Sequence, residues 1–188
     1  MKIFSTLIFA LMLMSQLLSA GDGTIHVDGR ISAFFPENGL LREIYGSCIP
    51  NYEIEIGKTF CEKYEVWGNA GWLSVNGKTE TFHTKTRYEN ANFSLGGKYI
   101  FCFNQCLKFY LGLGINAAYA RVHNKSHFVK RHVHKNGVGG VVKAGLYYEP
   151  MNNLFFELFS DYLYQKIHFK NCHQIGGLKV GGGAGFRF

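Results

Sequence analysis

From residue 24 onward, apolar and polar residues alternate along the chain with a period of two, the pattern of β-strands with one buried face. The alternation is clearest between Leu107 and Tyr119, where every second residue is apolar while Lys108, Gly112 and Asn116 stand between them. Trp67 breaks the pattern, because it stands among polar residues. Stretches of this kind, each roughly ten residues long, occur at 25–35, 52–56, 64–72, 90–101, 107–119, 142–149, 154–164 and 178–188.

The segments between these stretches are alternately short and long. Tight turns are predicted at 61–63, 104–105 and 150–152, and longer connections at 36–47, 77–87, 122–136 and 168–174. An even number of strands joined by short periplasmic turns and longer outer loops is typical of outer-membrane barrels. We therefore predict an all-β fold, an eight-stranded antiparallel up-and-down transmembrane β-barrel. A soluble exported barrel that holds a lipophile inside would also alternate, and it remains an alternative at this stage.

The polar face of the predicted strands carries acidic and basic residues in equal numbers. Since an unpaired buried charge costs several kcal/mol, such a balanced set suits a narrow lumen in which each charge has a partner. Aromatic residues on the opposite, apolar face lie near the strand ends, as in the aromatic girdles of membrane barrels. The predicted lumen charges are Asp28, Arg30, Glu53, Glu55, Glu65, Lys98, Lys108, Lys143, Glu157, Asp161, Lys179 and Arg187.

The first twenty residues differ from the rest of the chain. Lys2 precedes an apolar run from Ile3 to Leu18, and Ser19 and Ala20 offer small residues for cleavage, so residues 1–20 are predicted to be a secretory signal peptide. The barrel domain is then 21–188, outside the cytoplasm. With 47% hydrophobic, 16% aromatic and 18% charged residues, the composition excludes a disordered chain.

The C-terminal segment from Leu178 to Phe188 resembles the last strand of Gram-negative outer-membrane barrels. It alternates apolar residues with glycine and basic residues and ends on phenylalanine. With the predicted signal peptide, residues 24–188 are similar in pattern to the small eight-stranded group that includes the OmpA membrane domain, OmpX, OmpW and the opacity proteins. The resemblance implies location in the cell outer membrane, insertion by the barrel-insertion machinery through the strand ending at Phe188, and a monomer. No peptidoglycan-binding domain is expected.

The chain has five cysteines, more than many such barrels have. The predicted topology places Cys61, Cys102 and Cys106 at the periplasmic end and Cys48 and Cys172 at the outer end. It allows one outer disulfide, Cys48–Cys172, and one inner disulfide, for which Cys102–Cys106 is favoured by proximity. Unpaired thiols near the membrane boundary are the alternative.

Basic and histidine residues concentrate in the outer connections, where the net charge of +7 has its surplus. Charge-assisted contacts with lipopolysaccharide phosphates are expected for Arg87, Arg121, Lys125, Lys130 and Arg131. Metal or haem binding is a second hypothesis for His123, His127, His132 and His134, with a solvated basic loop as its alternative.

The expected function is envelope structure and surface contact, through adhesion or ligand capture. Outer-membrane lipid, lipopolysaccharide and a host surface ligand are the expected partners, whereas nucleic acid is not. No enzyme activity is expected, because no serine, histidine and acid stand at a spacing that suits nucleophilic catalysis, and no cofactor is predicted. A narrow porin-like channel and a haem- or metal-binding surface protein are the alternatives.

Overall fold

The computed structural model describes residues 23–78, 85–124, 132–151, 153–168 and 172–188. Within these ranges the chain forms nine strands and one short helix. They are β1 (Thr24–Pro36), α1 (Gly39–Tyr45), β2 (Ile49–Phe60), β3 (Tyr64–Lys78), β4 (Lys85–Cys102), β5 (Leu107–Asn124), β6 (His132–Tyr148), β7 (Leu154–His168), β8 (Cys172–Gln174) and β9 (Gly177–Arg187).

The sheet closes on itself as an antiparallel barrel. Consecutive strands pair from β1 to β7, β7 pairs with β9, and β9 returns to β1. The three-residue strand β8 pairs with the outer end of β7, in line with β9, so the barrel has eight strands around its circumference. The prediction of an eight-stranded antiparallel up-and-down barrel is thereby confirmed.

The two faces of each strand lie in opposite environments. On β5, Leu111 and Leu113 are 47% and 67% exposed on the outside, whereas Tyr110 is fully buried inside. A soluble lipophile-binding barrel would have the opposite orientation, since its apolar residues would line the interior. The outer surface is therefore an apolar belt.

Aromatic residues border this belt at both strand ends. Exposed rings at the outer end include Tyr52, Trp72, Tyr119, Tyr162 and Tyr164, and those at the periplasmic end include Tyr64, Phe101, Tyr148, Phe156 and Phe186. The aliphatic surface between them includes Ile31, Ile54, Leu113, Leu158 and Val180. This is the arrangement that a lipid bilayer favours.

The connection predicted at 36–47 lies between β1 and β2 almost as expected, whereas those predicted at 77–87 and 122–136 are shorter in the structure. Strands β3 and β4 extend to Lys78 and from Lys85, and strands β5 and β6 extend to Asn124 and from His132. The predicted loop boundaries were therefore wrong by several residues at each of these hairpins. Both faces of the outer extensions carry polar residues, so the alternation that marks a strand disappears from the sequence there.

Helix α1 lies in the first outer connection, which was predicted without a helix. Asn38 caps its N-terminus by accepting hydrogen bonds from the backbone N–H groups of Leu40 and Leu41, at 3.0 and 3.3 Å. Leu41 and Tyr45 pack against a buried apolar layer at the outer mouth, formed by Phe34, Ile49, Leu73, Tyr88, Ala120 and Ile175. No helix among the described residues is long and apolar enough to cross a membrane.

Candidate functional site

A network of ion pairs fills the middle of the barrel. Arg30 lies at its centre and contacts four carboxylates: Glu53 at 3.3 Å, Glu55 at 3.1 Å, Glu157 at 2.8 Å and Asp161 at 3.1 Å. Strands β1, β2 and β7 supply these side chains, and all five are almost completely buried. A guanidinium group suits this position because it presents five donors in a planar fork.

Three lysines from other strands extend the same network. Their ammonium groups contact carboxylates that also bind Arg30, and Lys98 contacts Glu65 in addition. Glu55 is the most heavily shared acceptor, because it contacts Arg30 and two of the lysines. The pairs are Lys98 with Glu55 and with Glu65, Lys143 with Glu55 and with Asp161, and Lys179 with Glu53.

Aromatic rings pack around these cations. The Arg30 guanidinium lies over the ring of Phe159, with its Cζ 3.5 Å from the ring centroid, and Nζ of Lys143 lies 4.0 Å from the centroid of Trp67. The hydroxyl of Tyr147 accepts a hydrogen bond of 2.6 Å from Lys98. Side chains thus occupy the cross-section of the lumen, and the cations are held by both carboxylates and ring faces.

Inward-facing glycines make room for the largest rings. A β-carbon at Gly96 would lie 2.8 Å from the indole of Trp67, and one at Gly114 would lie 2.7 Å from it. A β-carbon at Gly145 would similarly meet the ring of Tyr110, at 2.6 Å. The glycines on the polar face are therefore the counterpart of inward-facing rings such as Trp67, which broke the alternation in the sequence.

Two of the predicted lumen charges lie at the periplasmic rim and not in the middle. Lys108 and Arg187 both contact Glu149, at 2.8 and 2.7 Å, and all three side chains keep between 11 and 18% of their surface exposed. The other predicted lumen charges, Asp28 and Glu65 among them, are at most 5% exposed. The sequence pattern thus grouped two environments together, and it left out the partner Glu149.

A strip of basic and imidazole side chains lies on the outward face, above the girdle of aromatic residues at the outer end of the barrel. Cross-strand pairing places Arg87 opposite His123, Glu89 opposite Arg121, and Arg121 opposite His134. Arg121 and His134 are exposed, and the Arg87 side chain is 53% exposed although its Nε lies 2.9 Å from Glu89. We call Arg87, Arg121, His123 and His134 the outer basic strip.

The outer basic strip stands close to the edge of the apolar belt. Arg121 follows Tyr119 by two residues on β5, which is about 7 Å along a strand. The ring of His134 stacks on that of Tyr119, with the ring centroids 6.2 Å apart. The strip therefore lies just beyond the aromatic girdle at the outer edge of the belt.

The remaining residues of the two outer-loop hypotheses are only partly described. Lys125, Lys130, Arg131 and His127 lie outside the described residues, and His132 is described by its backbone alone, paired with His123. The histidines that are described belong to strands, which corrects the prediction of a shared loop. The metal hypothesis for this group stays a prediction.

The predicted Cys102–Cys106 disulfide is not formed. Cys48, Cys61, Cys102 and Cys106 carry free, exposed thiols. The strand register pairs Cys102 with Lys108, which leaves Cys106 inside the turn instead of opposite Cys102. In that turn Asn104 accepts hydrogen bonds from the N–H groups of Cys106 and Leu107. The side chain of Cys172 is not described, so the Cys48–Cys172 pairing stays a prediction.

One titratable group lies where the helix meets the barrel mouth. The hydroxyl of Tyr45 is 3.1 Å from that of Thr86 on β4. Burial raises the pKa of this phenol, and the hydrogen bond with Thr86 offsets part of the rise. Tyr45 is therefore neutral at physiological pH and serves as a structural contact between α1 and the outer end of the barrel.

Comparison with known proteins shows similarity at the level of structure. No protein-family model and no curated protein sequence matches the chain. Neisserial surface protein A has a TM-score of 0.71 at 15% identity, with 89% of this chain and 100% of that chain covered. OprG from Pseudomonas aeruginosa has a TM-score of 0.67 at 13% identity, with 88% and 96% covered.

A third similar structure is that of Ail, the attachment invasion locus protein of Yersinia pestis, in complex with the heparin analogue sucrose octasulfate. Its TM-score is 0.58 at 16% identity, and 89% of this chain and 100% of Ail are covered. Identities this low establish the fold alone. The chain has the fold of small bacterial outer-membrane β-barrels, as its terminal strand and alternation predicted.

Proposed function

We propose that this protein is an integral outer-membrane β-barrel whose outer basic strip binds the phosphate groups of lipopolysaccharide. The barrel serves as a closed anchor, and its outer hairpins form the contact surface of the envelope. The observation that carries this proposal is the position of Arg87, Arg121, His123 and His134, which face outward together above the edge of the apolar belt.

Phosphate is the ligand chemistry that suits the strip. Arg87 and Arg121 project from neighbouring strands with Glu89 between them, so two guanidinium groups outweigh one carboxylate on this face. Guanidinium groups bind phosphate through paired hydrogen bonds, and such contacts are stronger than those between neutral groups. Nearby imidazoles add donors, and they add positive charge when the pH falls.

The filled lumen supports the role of an anchor over that of a channel. Arg30, Lys143 and Trp67 are among its largest fully buried side chains; Lys143 lies over the Trp67 ring and shares Glu55 with Arg30. We expect no conductance above background in planar bilayers. Steady single-channel steps at high protein loading would instead favour the narrow-channel alternative.

Binding of purified lipopolysaccharide to the refolded protein in detergent tests the proposal. We expect an Arg87→Ala/Arg121→Ala double variant to bind at least about fivefold more weakly than the wild type, with a larger difference at low salt because the contacts are charged. Arg42→Ala is the matched control, since Arg42 is an exposed arginine on α1. Equal loss in the control, or no loss in the double variant, would contradict the proposal.

Two further ligands separate the sources of anionic chemistry. Lipopolysaccharide with its lipid A phosphates removed should bind as weakly to the wild type as the intact form binds to the double variant. Sucrose octasulfate, which accompanies Ail in its complex, tests the capture of sulfated sugars. If it displaces lipopolysaccharide from the strip at equal concentration, surface adhesion through sulfated glycans becomes the better reading.

A further inference from the structure

The lumen network has more negative than positive charge. Among the described residues that face the lumen and are at most 5% exposed, there are two more carboxylates than permanent cations. Lys58 is also buried, but it lies on the outward face of β2, opposite Ile25. The carboxylates are Asp28, Glu53, Glu55, Glu65, Glu157 and Asp161, and the cations are Arg30, Lys98, Lys143 and Lys179.

One carboxylate without an arginine or lysine partner lies at the periplasmic end of the network, where Arg187 on β9 pairs with His26 and faces the rings of Tyr147 and Phe155. Asp28 has no ion pair with an arginine or lysine in the described network, and its ionisable neighbour is His26, with Nε2 3.7 Å from Oδ1. Oδ2 of Asp28 and both ring nitrogens of His26 have no hydrogen-bond partner, although His26 is fully buried. Buried polar atoms rarely stay unpartnered, so each such group requires an explanation.

The imidazole faces further carboxylates at ligand distances. Nε2 of His26 is also 3.7 Å from Oε1 of Glu65. Three potential ligand atoms, one each from His26, Glu55 and Glu65, lie within 4.8 Å of one another. Nitrogen and carboxylate oxygen atoms at such separations are the donors that a small divalent ion requires.

We propose that His26, Glu55 and Glu65 bind one divalent metal ion of the Zn²⁺ type inside the barrel, with Asp28 beside the imidazole. Two positive charges would neutralise the excess of two carboxylates. The metal ion would also bind the nitrogen lone pair of His26, which has no hydrogen-bond partner in the structure.

Lys98 competes for the same carboxylates and has to be accommodated. Its ammonium group pairs with Glu55 and lies 2.9 Å from Glu65. A carboxylate offers about four lone-pair positions on two oxygens, so each glutamate can serve Lys98 and a metal ion together. Glu65 also accepts from Thr59 at 3.3 Å, which fixes its orientation.

The backbone around the imidazole is built to hold it in place. A β-carbon at Gly57, the residue paired with His26 on β2, would lie 2.8 Å from Nε2. The ring also makes edge contacts with Phe155 and Tyr147, at centroid distances of 5.6 and 6.4 Å. An ion at this enclosed position would be taken up as the barrel folds.

Metal content after refolding tests the proposal. The parent protein for the test carries alanine at the seven other histidines, so that outer imidazoles contribute nothing and His26 is the remaining histidine. It is refolded in detergent with Zn²⁺ or with a chelator and then passed through a desalting column. The replaced residues are His83, His123, His127, His132, His134, His168 and His173.

We expect the zinc-refolded parent to retain about one ion per chain and to melt at a higher temperature than the chelator-refolded protein. His26→Gln should abolish retention, and Asp28→Asn should weaken binding by about tenfold. Glu149→Gln at the rim is the control, and it should retain the ion. Refolding with Co²⁺ should give the visible absorption of nitrogen and oxygen ligation, without the band of a cysteine thiolate.

The proposal is overturned if the parent retains less than about a tenth of an ion per chain, or if His26→Gln retains as much as the parent. Heat-modifiable migration on gels shows whether each variant has folded. If His26→Gln does not fold, Asp28→Asn and the resonances of the His26 ring in the parent decide. Ring resonances that Zn²⁺ leaves unchanged also overturn the proposal.

Discussion

The two faces of β5 hold neighbouring residues in opposite environments. Tyr110 is completely buried in the lumen, where its hydroxyl donates a hydrogen bond of 2.5 Å to Glu157. The next residue, Leu111, is 47% exposed on the belt, and Leu113 is 67% exposed. This arrangement is the reverse of that in a water-soluble protein, because polar groups lie inside and apolar groups lie outside.

This difference shows that the two faces are stabilised by different interactions. The outward residues gain their favourable environment from lipid, so many apolar side chains of similar size suit the same position. The inward residues depend on specific partners, because a buried charge without its counter-charge costs several kcal/mol. Substitutions should therefore be judged by face and by distance from the membrane centre, more than by residue type.

The largest effect is expected from Arg30→Met, at the centre of the inward face. The variant leaves Glu53, Glu55, Glu157 and Asp161 without their shared guanidinium group. Breaking a buried network in this way costs about 3–5 kcal/mol in the free energy of unfolding. Urea titration of the protein in lipid vesicles, followed by tryptophan fluorescence, measures the loss.

The outer strip provides the control for that experiment. Arg87→Met removes an arginine whose side chain is 53% exposed, so the free energy of unfolding should change by about 0.5 kcal/mol or less. Adding Glu157→Gln to Arg30→Met should restore part of the stability by removing one of the unpaired charges. Equal losses in Arg30→Met and Arg87→Met would mean that burial does not decide the cost.

The next largest effect is expected on the outward face. Leu113→Arg places a cation in the middle of the apolar belt, which costs about 2–4 kcal/mol near the bilayer centre. Tyr119 lies on the same strand and face but in the outer aromatic girdle, so Tyr119→Arg should lower the free energy of unfolding by only about 0–1 kcal/mol. Unfolding in vesicles again gives both values, and a cost that is independent of depth would count against a membrane-embedded belt.

A smaller effect is expected from adding one methyl group to the inward face. Gly114→Ala would bring a β-carbon to 2.7 Å from both Trp67 and the carbonyl oxygen of Leu95. Overpacking of this kind costs about 1–3 kcal/mol. Gly29→Ala, on the outward face of β1, is the control, since a β-carbon there meets nothing within 4 Å. Similar melting temperatures for the two variants would show that the lumen is less tightly filled than the structure indicates.

Much of this architecture could be predicted from the sequence, because a period of two assigns every second residue to one face. The alternation placed Arg30, Lys143 and Glu157 on the polar face, and the structure brings them inside the barrel. It also left Trp67 as an exception. That exception marked a packing feature, since the ring fits where glycine faces it from β4 and β5.

The outer strand ends, the contacts of His26 and helix α1 are not marked in the sequence by a period of two. At the outer end of β4, Thr86 and Tyr88 face inward while Arg87 and Glu89 face outward, so both faces are polar or amphipathic and the strand resembles a loop in sequence. The contact between His26 and Glu65 depends on how β1 and β3 approach each other across the lumen, which periodicity cannot specify. Helix α1 had a local signal in Asn38 as its N-cap, but seven residues give too short a pattern to identify.

The smallest effect is expected at the periplasmic rim, where the same kinds of charge meet water. Glu149→Gln removes the carboxylate shared by Lys108 and Arg187, and all three side chains retain between 11 and 18% exposure. Because water and salt reach these groups, the loss should be about 1 kcal/mol or less and should shrink as ionic strength rises. Unfolding titrations at low and high salt measure both quantities. A salt-independent loss as large as that of Arg30→Met would show that the rim is as dry as the lumen centre, and the division between the two groups of charges would then have to be abandoned.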